Sequence, residues 1–202
     1  ERAGNVPAYM LSAKLNGGEI YLEVSKAGGV VLDMRDSRPV SAAAMQPEDG
    51  VGIAKRFLDE RGFTDMRESY WMVEDNTVTV NFAYTQDGVI CYTDLIKVSV
   101  ALDNGSVTGF ESLGYAMSHT ARTLPEPAVP AEEAQEHVSG ELTVLSHELA
   151  VIPTGGMYEV LCHEFKCQNA DGRHYIIYVN AQTGAEEKIL ILLESENGTL
   201  TL

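Results

Sequence analysis

The chain has 202 residues, 45% apolar and 22% charged, a balance that argues against disorder and leaves room for two or three small modules. With 30 acidic and 14 basic residues its formal net charge is −16, a field that repels phosphate backbones and anionic lipid surfaces and so argues against nucleic-acid binding. Solubility is the plain reading of that charge, and steering of a basic protein partner is the sharper one.

No stretch approaches the roughly 18 consecutive apolar residues that span a bilayer, so the chain itself is expected not to cross a membrane. It opens on Glu1 with neither an initiator Met nor a signal-peptide pattern, and it reads as a soluble fragment of a longer protein. Cys91, Cys162 and Cys167 do not make a disulfide framework. Cys162 and Cys167 lie in the strand-like "VLCHEFKC". Five steps along a strand put them on opposite faces and about 17 Å apart, beyond bridging distance.

In chain order, residues 1–45 offer strands near 8–15, 19–25 and 30–35, with no helix before them; the helix is expected ahead of Glu1 in the parent protein. The segment "DSRPVSAAAMQP" (36–47) links this unit to the next. Residues 46–120 form the second unit. Its helix spans 46–63: Pro47 suits the first turn, Glu48 and Asp49 complement the dipole, and Gly62 suits the stop. Val51, Ala54, Phe57 and Leu58 mark the apolar stripe. Strands follow near 66–73, 77–85, 92–102 and 106–113. The linker "SHTARTLPEPAVP" (118–130) carries three prolines that enforce an extended connection. Residues 121–202 repeat the recipe, with a helix over 129–140 and strands near 142–151, 157–167, 173–181 and 185–193. The fold class is therefore α+β: tandem repeats, each a helix packed on a small antiparallel sheet.

The repeat is plainest in three hairpins, "VSKAGGVVLDM", "VALDNGSVTGF" and "VNAQTGAEEKI". Gly29, Gly105 and Gly184 follow one another at nearly equal intervals, and aligning them also aligns Val24, Val100 and Val179. Glycine suits these turns because they call for positive φ.

The last hairpin carries Tyr178, Val179, Asn180, Ala181, Thr183, Gly184 and Glu186 in the pattern Y-x-V-N-A-x-T-G-x-E, which resembles the PepSY module. The ordered set "SKAGGVVLDMRDSRPV", "VALDNGSVTGF", "LPEPAVPAEEAQEHVS", "YEVLCHEFKC" and "NAQTGAEEKILILLESENGTLTL" is similar to the C-terminal region of a family of spore germination proteins built from tandem PepSY domains. The similarity covers essentially the whole chain. It implies an endospore protein outside the cytoplasm, at the spore inner membrane and cortex, anchored by an N-terminal segment missing here. It also implies a partner, a SleB-type cortex-lytic enzyme, with each protein needed for the other's stability or localisation. Peptidoglycan or a protease is the further partner this reading admits. The family carries no catalytic residue set, so the resemblance implies no enzyme and no cofactor.

The residues themselves offer little chemistry to set against this. "SHEL" (146–149) and "CHEF" (162–165) each contain His-Glu, but neither is H-E-x-x-H, and both lie on expected strands. His147 and His163 could meet across adjacent strands, yet Cys162 and His163 point to opposite faces, so no metal site is expected. His119 and His174 read as surface or packing residues. No G-x-S-x-G elbow occurs. Gly17-Gly18, Gly28-Gly29 and Gly155-Gly156 read as turns, and Trp71 with Tyr70 as core or inter-repeat packing. Glu132, Glu133 and Glu136 on the third unit's helix are the candidate partner-binding residues, placed to dock a basic enzyme. The expected function is a non-enzymatic spore germination protein that binds, stabilises, localises or restrains the lytic enzyme in the dormant spore. A PepSY-type peptidase inhibitor or propeptide-like domain is the alternative, and direct peptidoglycan hydrolysis is the enzyme-class alternative.

Overall fold

The computed structural model describes residues 6–15, 17–155, 158–195 and 198–201. It is mostly sheet with a few helices, an α+β chain. Its elements are β1 (Ala8–Leu15), β2 (Gly18–Ser25), β3 (Val31–Asp36), α1 (Pro47–Asp59), β4 (Met66–Glu74), β5 (Thr77–Gln86), β6 (Val89–Ala101) and β7 (Val107–Glu111). There follow α2 (Leu113–Ser118), α3 (Ala131–Gln135), β8 (Thr143–Pro153), β9 (Glu159–Gln168), β10 (His174–Asn180), β11 (Glu186–Ser195) and β12 (Gly198–Thr201). The chain divides into two compact units, Glu1–Ala83 with Asp94–His119, and Tyr84–Thr93 with Thr120–Leu202.

In the first unit the strands run in the order β1-β2-β3-β7-β6-β5-β4. Helix α1 starts where the sequence dictates. Pro47 opens it, the Asp49 side chain accepts from the Gln46 amide at 3.2 Å, and Glu48 and Asp49 face the positive end of the helix dipole. It stops at Gly62, whose φ of 78° lets the Gly62 amide reach the Asp59 carbonyl and the Phe63 amide reach that of Leu58, a Schellman closure. Ala54 and Leu58 enter one core with Val78, Val80, Phe82, Ile96, Val98, Val100, Leu102 and Phe110, and Trp71 packs against it.

In the second unit the order is β12-β11-β10-β9-β8, and Ile90 and Cys91 pair in parallel with Ala150 and Val151. One core joins Val129, Ala134 and Val138 to Phe165, Cys167, Ile177 and Val179. A second joins Val89, Cys91, Val151, Leu161 and Ala181. All three cysteines are free and buried.

The three hairpins share their backbone geometry as well as their residues. Gly29, Gly105 and Gly184 have φ of 66°, 74° and 73°. Each hairpin shifts register at the same step, between Glu23 and Val24, Ser99 and Val100, and Tyr178 and Val179. Each then closes with the same long bond, from the amides of Ser25, Ala101 and Asn180 to the carbonyls of Val30, Ser106 and Ala185. A bulge at a fixed place increases twist and fixes which face each following side chain takes.

Three local features depart from the sequence reading. Helix α3 ends at Gln135, short of 140, because the chain tightens there: the amides of His137 and Val138 bond the carbonyls of Ala134 and Gln135, three residues back. Helix α2 occupies a stretch read as strand end and linker. It has no side-chain cap and buries no residue, so no local signal marks it, and Tyr115 ties it down by an edge contact with Phe63 at 5.4 Å between ring centres. Strand β12 extends the sheet by pairing antiparallel with β11, Leu192 opposite Thr201.

Candidate functional site

Helix α3 begins at the proline-fixed turn of Pro130 and presents Ala134 and, just past its end, Val138 to the core. The spacing that buries those two leaves Glu132, Glu133 and Glu136 exposed. The three carboxylates lie within one and a half turns, with no basic residue in the last turn to balance them.

Beneath this helix two imidazoles meet. The His163 Nε2–H donates to the Val129 carbonyl at 2.9 Å, which leaves Nδ1 to accept from the His147 Nε2–H at 2.8 Å. His163 is buried and His147 exposed at the rim. Burial and the neighbouring His163 push the His147 pKa down, and the nearby carboxylates of Glu148 and Glu132 offset part of that. The pair holds one bridging proton and fixes the chain entering α3.

On the opposite face of β9 sits Glu164, 1% exposed. It lies opposite Glu148 of β8 and Tyr178 of β10. Burial raises its pKa, while the Tyr92 and Tyr178 hydroxyls and Lys166 pull it back part of the way. Those hydroxyls face the carboxyl at a geometry short of full hydrogen bonds, since neither oxygen has a partner at bonding distance and angle. Burial, then Glu164, raises the Tyr178 pKa as well. Tyr92 meets Tyr178 edge-on, with ring centres 6.2 Å apart.

A third cluster straps the proline-rich linker. Arg122 grips Glu159 through two nitrogens, at 2.8 and 2.7 Å, and reaches Thr93 at 3.0 Å. Its backbone exchanges two bonds with the Gln86 amide. Beside the strap runs an open groove of about 420 Å³, between residues 120–125 and the turn carrying Asn180 and Thr183. In the first unit Arg38 does the equivalent work on the linker before α1, with two nitrogens on Asp103 at 2.9 and 2.8 Å and one of them also on Asn104 and Ser106.

Two of these clusters hold chain segments in place, His163 at the entry to α3 and Arg122 on its linker. Burial, reinforced by the Glu187 charge, pushes the Cys162 thiol up to about 12, and burial also raises Cys167, so neither supplies a thiolate. Among the described residues no three His, Cys, Asp or Glu side chains gather as a metal site. His119 bonds buried Asp94 at 2.9 Å and stacks on Tyr115, and His174 is half-buried at the start of β10. The Gly17 and Gly28-Gly29 positions are turns of positive φ; Gly156 lies outside the described residues. The contact of His147 with His163 was open to a sequence reading. The burial of Glu164 and the two arginine straps were not, since each depends on partners distant in the chain.

The model for YpeB sporulation, PepSY1 and PepSY2 domains matches residues 1–125, which places the larger part of the chain in the PepSY class. Sporulation protein YpeB of Halalkalibacterium halodurans is 34% identical over 176 residues, 87% of this chain and 39% of that protein. Its namesakes in Oceanobacillus iheyensis and Bacillus subtilis are 30% and 32% identical, over 92% and 88% of this chain and 41% and 40% of theirs. The solved Bacillus megaterium YpeB C-terminal domain aligns with a TM-score of 0.81 at 26% identity, covering 95% of this chain and 91% of that one. The chain belongs to the YpeB family of sporulation proteins. It spans about two fifths of the length of the curated relatives it matches. No helix among the described residues is long and apolar enough to cross a membrane.

Proposed function

We propose that this chain is a non-enzymatic, protein-binding part of a spore germination protein. It engages a SleB-type cortex-lytic enzyme and stabilises, localises or restrains it in the dormant spore. The observation that carries the reading is the join of YpeB family membership to an acidic surface, net −16, with Glu132 and Glu133 exposed on α3 and Glu136 exposed at its C-cap. An acidic patch raises the rate at which a basic partner docks and makes that docking salt-dependent. The chain works as three PepSY-like units, 1–45, 46–120 and 121–202, the later two each capped by its own helix; the repeated bulge and turn geometry supports that division. It uses no cofactor and no nucleic acid. It acts outside the cytoplasm, at the spore inner membrane, held there by a segment N-terminal to this region.

Binding of the purified chain to the cortex-lytic enzyme, measured at low and high salt, tests the reading. Wild type is expected to bind and to weaken as salt rises. The combined E132K, E133K and E136K variant is expected to bind about tenfold more weakly at low salt. Equal affinity of variant and wild type removes α3 as the docking element, and no binding by wild type removes the partner reading. Dose-dependent inhibition of a secreted peptidase would favour the inhibitor role instead. New reducing ends from spore cortex treated with the chain alone would favour a hydrolase.

A further inference from the structure

The first unit carries one apolar sheet face that is half covered and half bare. Val31 and Met34 of β3 join the core under α1, and Met34 lies directly opposite Phe110 of β7. Outward from β3 the same face continues through Leu22 opposite Met34, and through Leu11 opposite Leu22 and Tyr9 opposite Val24. There the cover ends: Tyr9, Leu11 and Leu15 are 49%, 53% and 49% exposed.

The repeat shows what such a face receives. Val24 and Leu22 correspond to Val179 and Ile177, and in the third hairpin these lie opposite His163 and Phe165. So Tyr9 and Leu11 hold the positions of His163 and Phe165, which are 2% and 0% exposed in the core that α3 helps to build. The equivalent face of the middle hairpin, Val98 and Val100, is buried with α1. Both covering helices put small residues at the contact, Gly50 and Ala54 in α1 and Ala134 in α3. Both also start at a similar interval ahead of the strand that carries the facing positions, with one strand between: Pro47 to Thr77 across β4, and Ala131 to Glu159 across β8.

We infer that the face of Tyr9, Leu11, Leu15, Leu22 and Val24 is the docking site of an amphipathic helix from the same polypeptide, lying upstream of Glu1 and separated from β1 by one further strand. Strand β1 holds the place of β5 and β9, so counting back from Ala8 by the interval that separates Pro47 from Thr77 puts the start of that helix ahead of Glu1. Relatives have the chain to supply it, for this region spans only 39% of the Halalkalibacterium protein and aligns with a domain described as C-terminal. The helix carries Gly or Ala where it crosses β2 and apolar residues three and four positions to either side. The inference rests on the repeat geometry and is independent of the cortex-lytic partner.

Cysteine accessibility in the full-length protein tests it, with any cysteine upstream of Glu1 replaced, because the three cysteines of this chain are buried. L11C is compared with M10C, whose side chain leaves the other face of β1 and is 61% exposed. Maleimide is expected to label L11C about tenfold more slowly in the full-length protein than in the chain that begins at Glu1, and M10C at the same rate in both. Equal labelling of L11C in the two proteins overturns the inference. Slow labelling of L11C in both, rising on dilution and accompanied by a dimer mass, overturns it in favour of a second copy of the chain. A benzophenone side chain at position 11 of the full-length protein supplies the second readout. Crosslinks to the stretch ahead of Glu1 at which that interval places the helix, one β4-like strand before β1, support the assignment, and crosslinks that map elsewhere refute it.

Discussion

Two glycines in α1, two residues apart, are expected to respond with opposite sign to the same substitution. In an exposed helix interior Gly→Ala gains about 0.8–1 kcal/mol, because alanine loses less backbone freedom on folding. Gly52 is such a position: a Cβ there meets nothing within 4 Å. At Gly50 the added Cβ would sit 2.5 Å from Val78 Cγ1 and 3.1 Å from Leu102 Cδ2, against an ordinary carbon separation of about 3.5–4.0 Å. Val78 is buried in the core and stiff at χ1, so the methyl cannot swing aside and the helix must lift from the sheet. Overpacking of this kind costs about 1–3 kcal/mol. After the propensity gain, G50A is expected to lose up to about 2 kcal/mol while G52A gains about 0.8–1. Urea unfolding followed by fluorescence measures both, since Trp71 is the single tryptophan and packs on this core. G50A unfolding at the same urea concentration as G52A would refute the close approach of α1 to β5.

Three further outcomes follow from charges and straps. His147 has a depressed pKa, so below about 6.5 the unfolded chain takes the proton more readily, and stability present above that pH falls as pH falls; H147Q is expected to flatten the slope of the urea midpoint between pH 7.5 and 5.5, and an unchanged slope counts against the pair. Glu164 has a raised pKa, so its contribution is fully present below the usual glutamate range and lost as pH rises. E164Q is therefore expected to unfold at higher urea than wild type at pH 7, with the gap closing toward pH 4; a gap that persists at pH 4 refutes the assignment. Arg38 holds the Asp103 carboxyl well below the usual carboxylate range, and Asp103 in turn accepts from the Ser41 amide at 3.0 Å. R38A is expected to speed hydrogen exchange at Ser41 and Ala44 while leaving β9 and β10 unchanged, and slow exchange at Ser41 in that variant would dismiss the strap.

The legible part of this fold is the part written locally. Asn104-Gly105, Thr183-Gly184 and Gly28-Gly29 each announce a turn of positive φ, and the strands on either side lie within a few residues of where alternation places them. Pro47 and Gly62 bracket α1 because each acts on the backbone at its own position. What stayed hidden is long-range. The straps of Arg38 and Arg122 reach 65 and 37 residues along the chain to their carboxylates, and nothing in a window of sequence marks which carboxylate each will meet. Glu164 alternates with Cys162 and Lys166, a spacing that marks no carboxylate as interior, yet both faces of β9 are buried around it. Helix α2 has neither cap nor buried stripe to announce it. For the candidate site, Glu132, Glu133 and Glu136 were visible as acids on a helix, whereas the imidazole pair beneath them needed the pairing of β8 with β9.

Val129 is pinned at both ends of its peptide unit, its amide on the Ala181 carbonyl at 3.0 Å and its carbonyl on His163 at 2.9 Å. A force applied to the acidic helix therefore has no slack to take up in the stretch just before it. It loads the β9–β10 ladder directly, so a protein pulling on those glutamates would be pulling on the sheet itself.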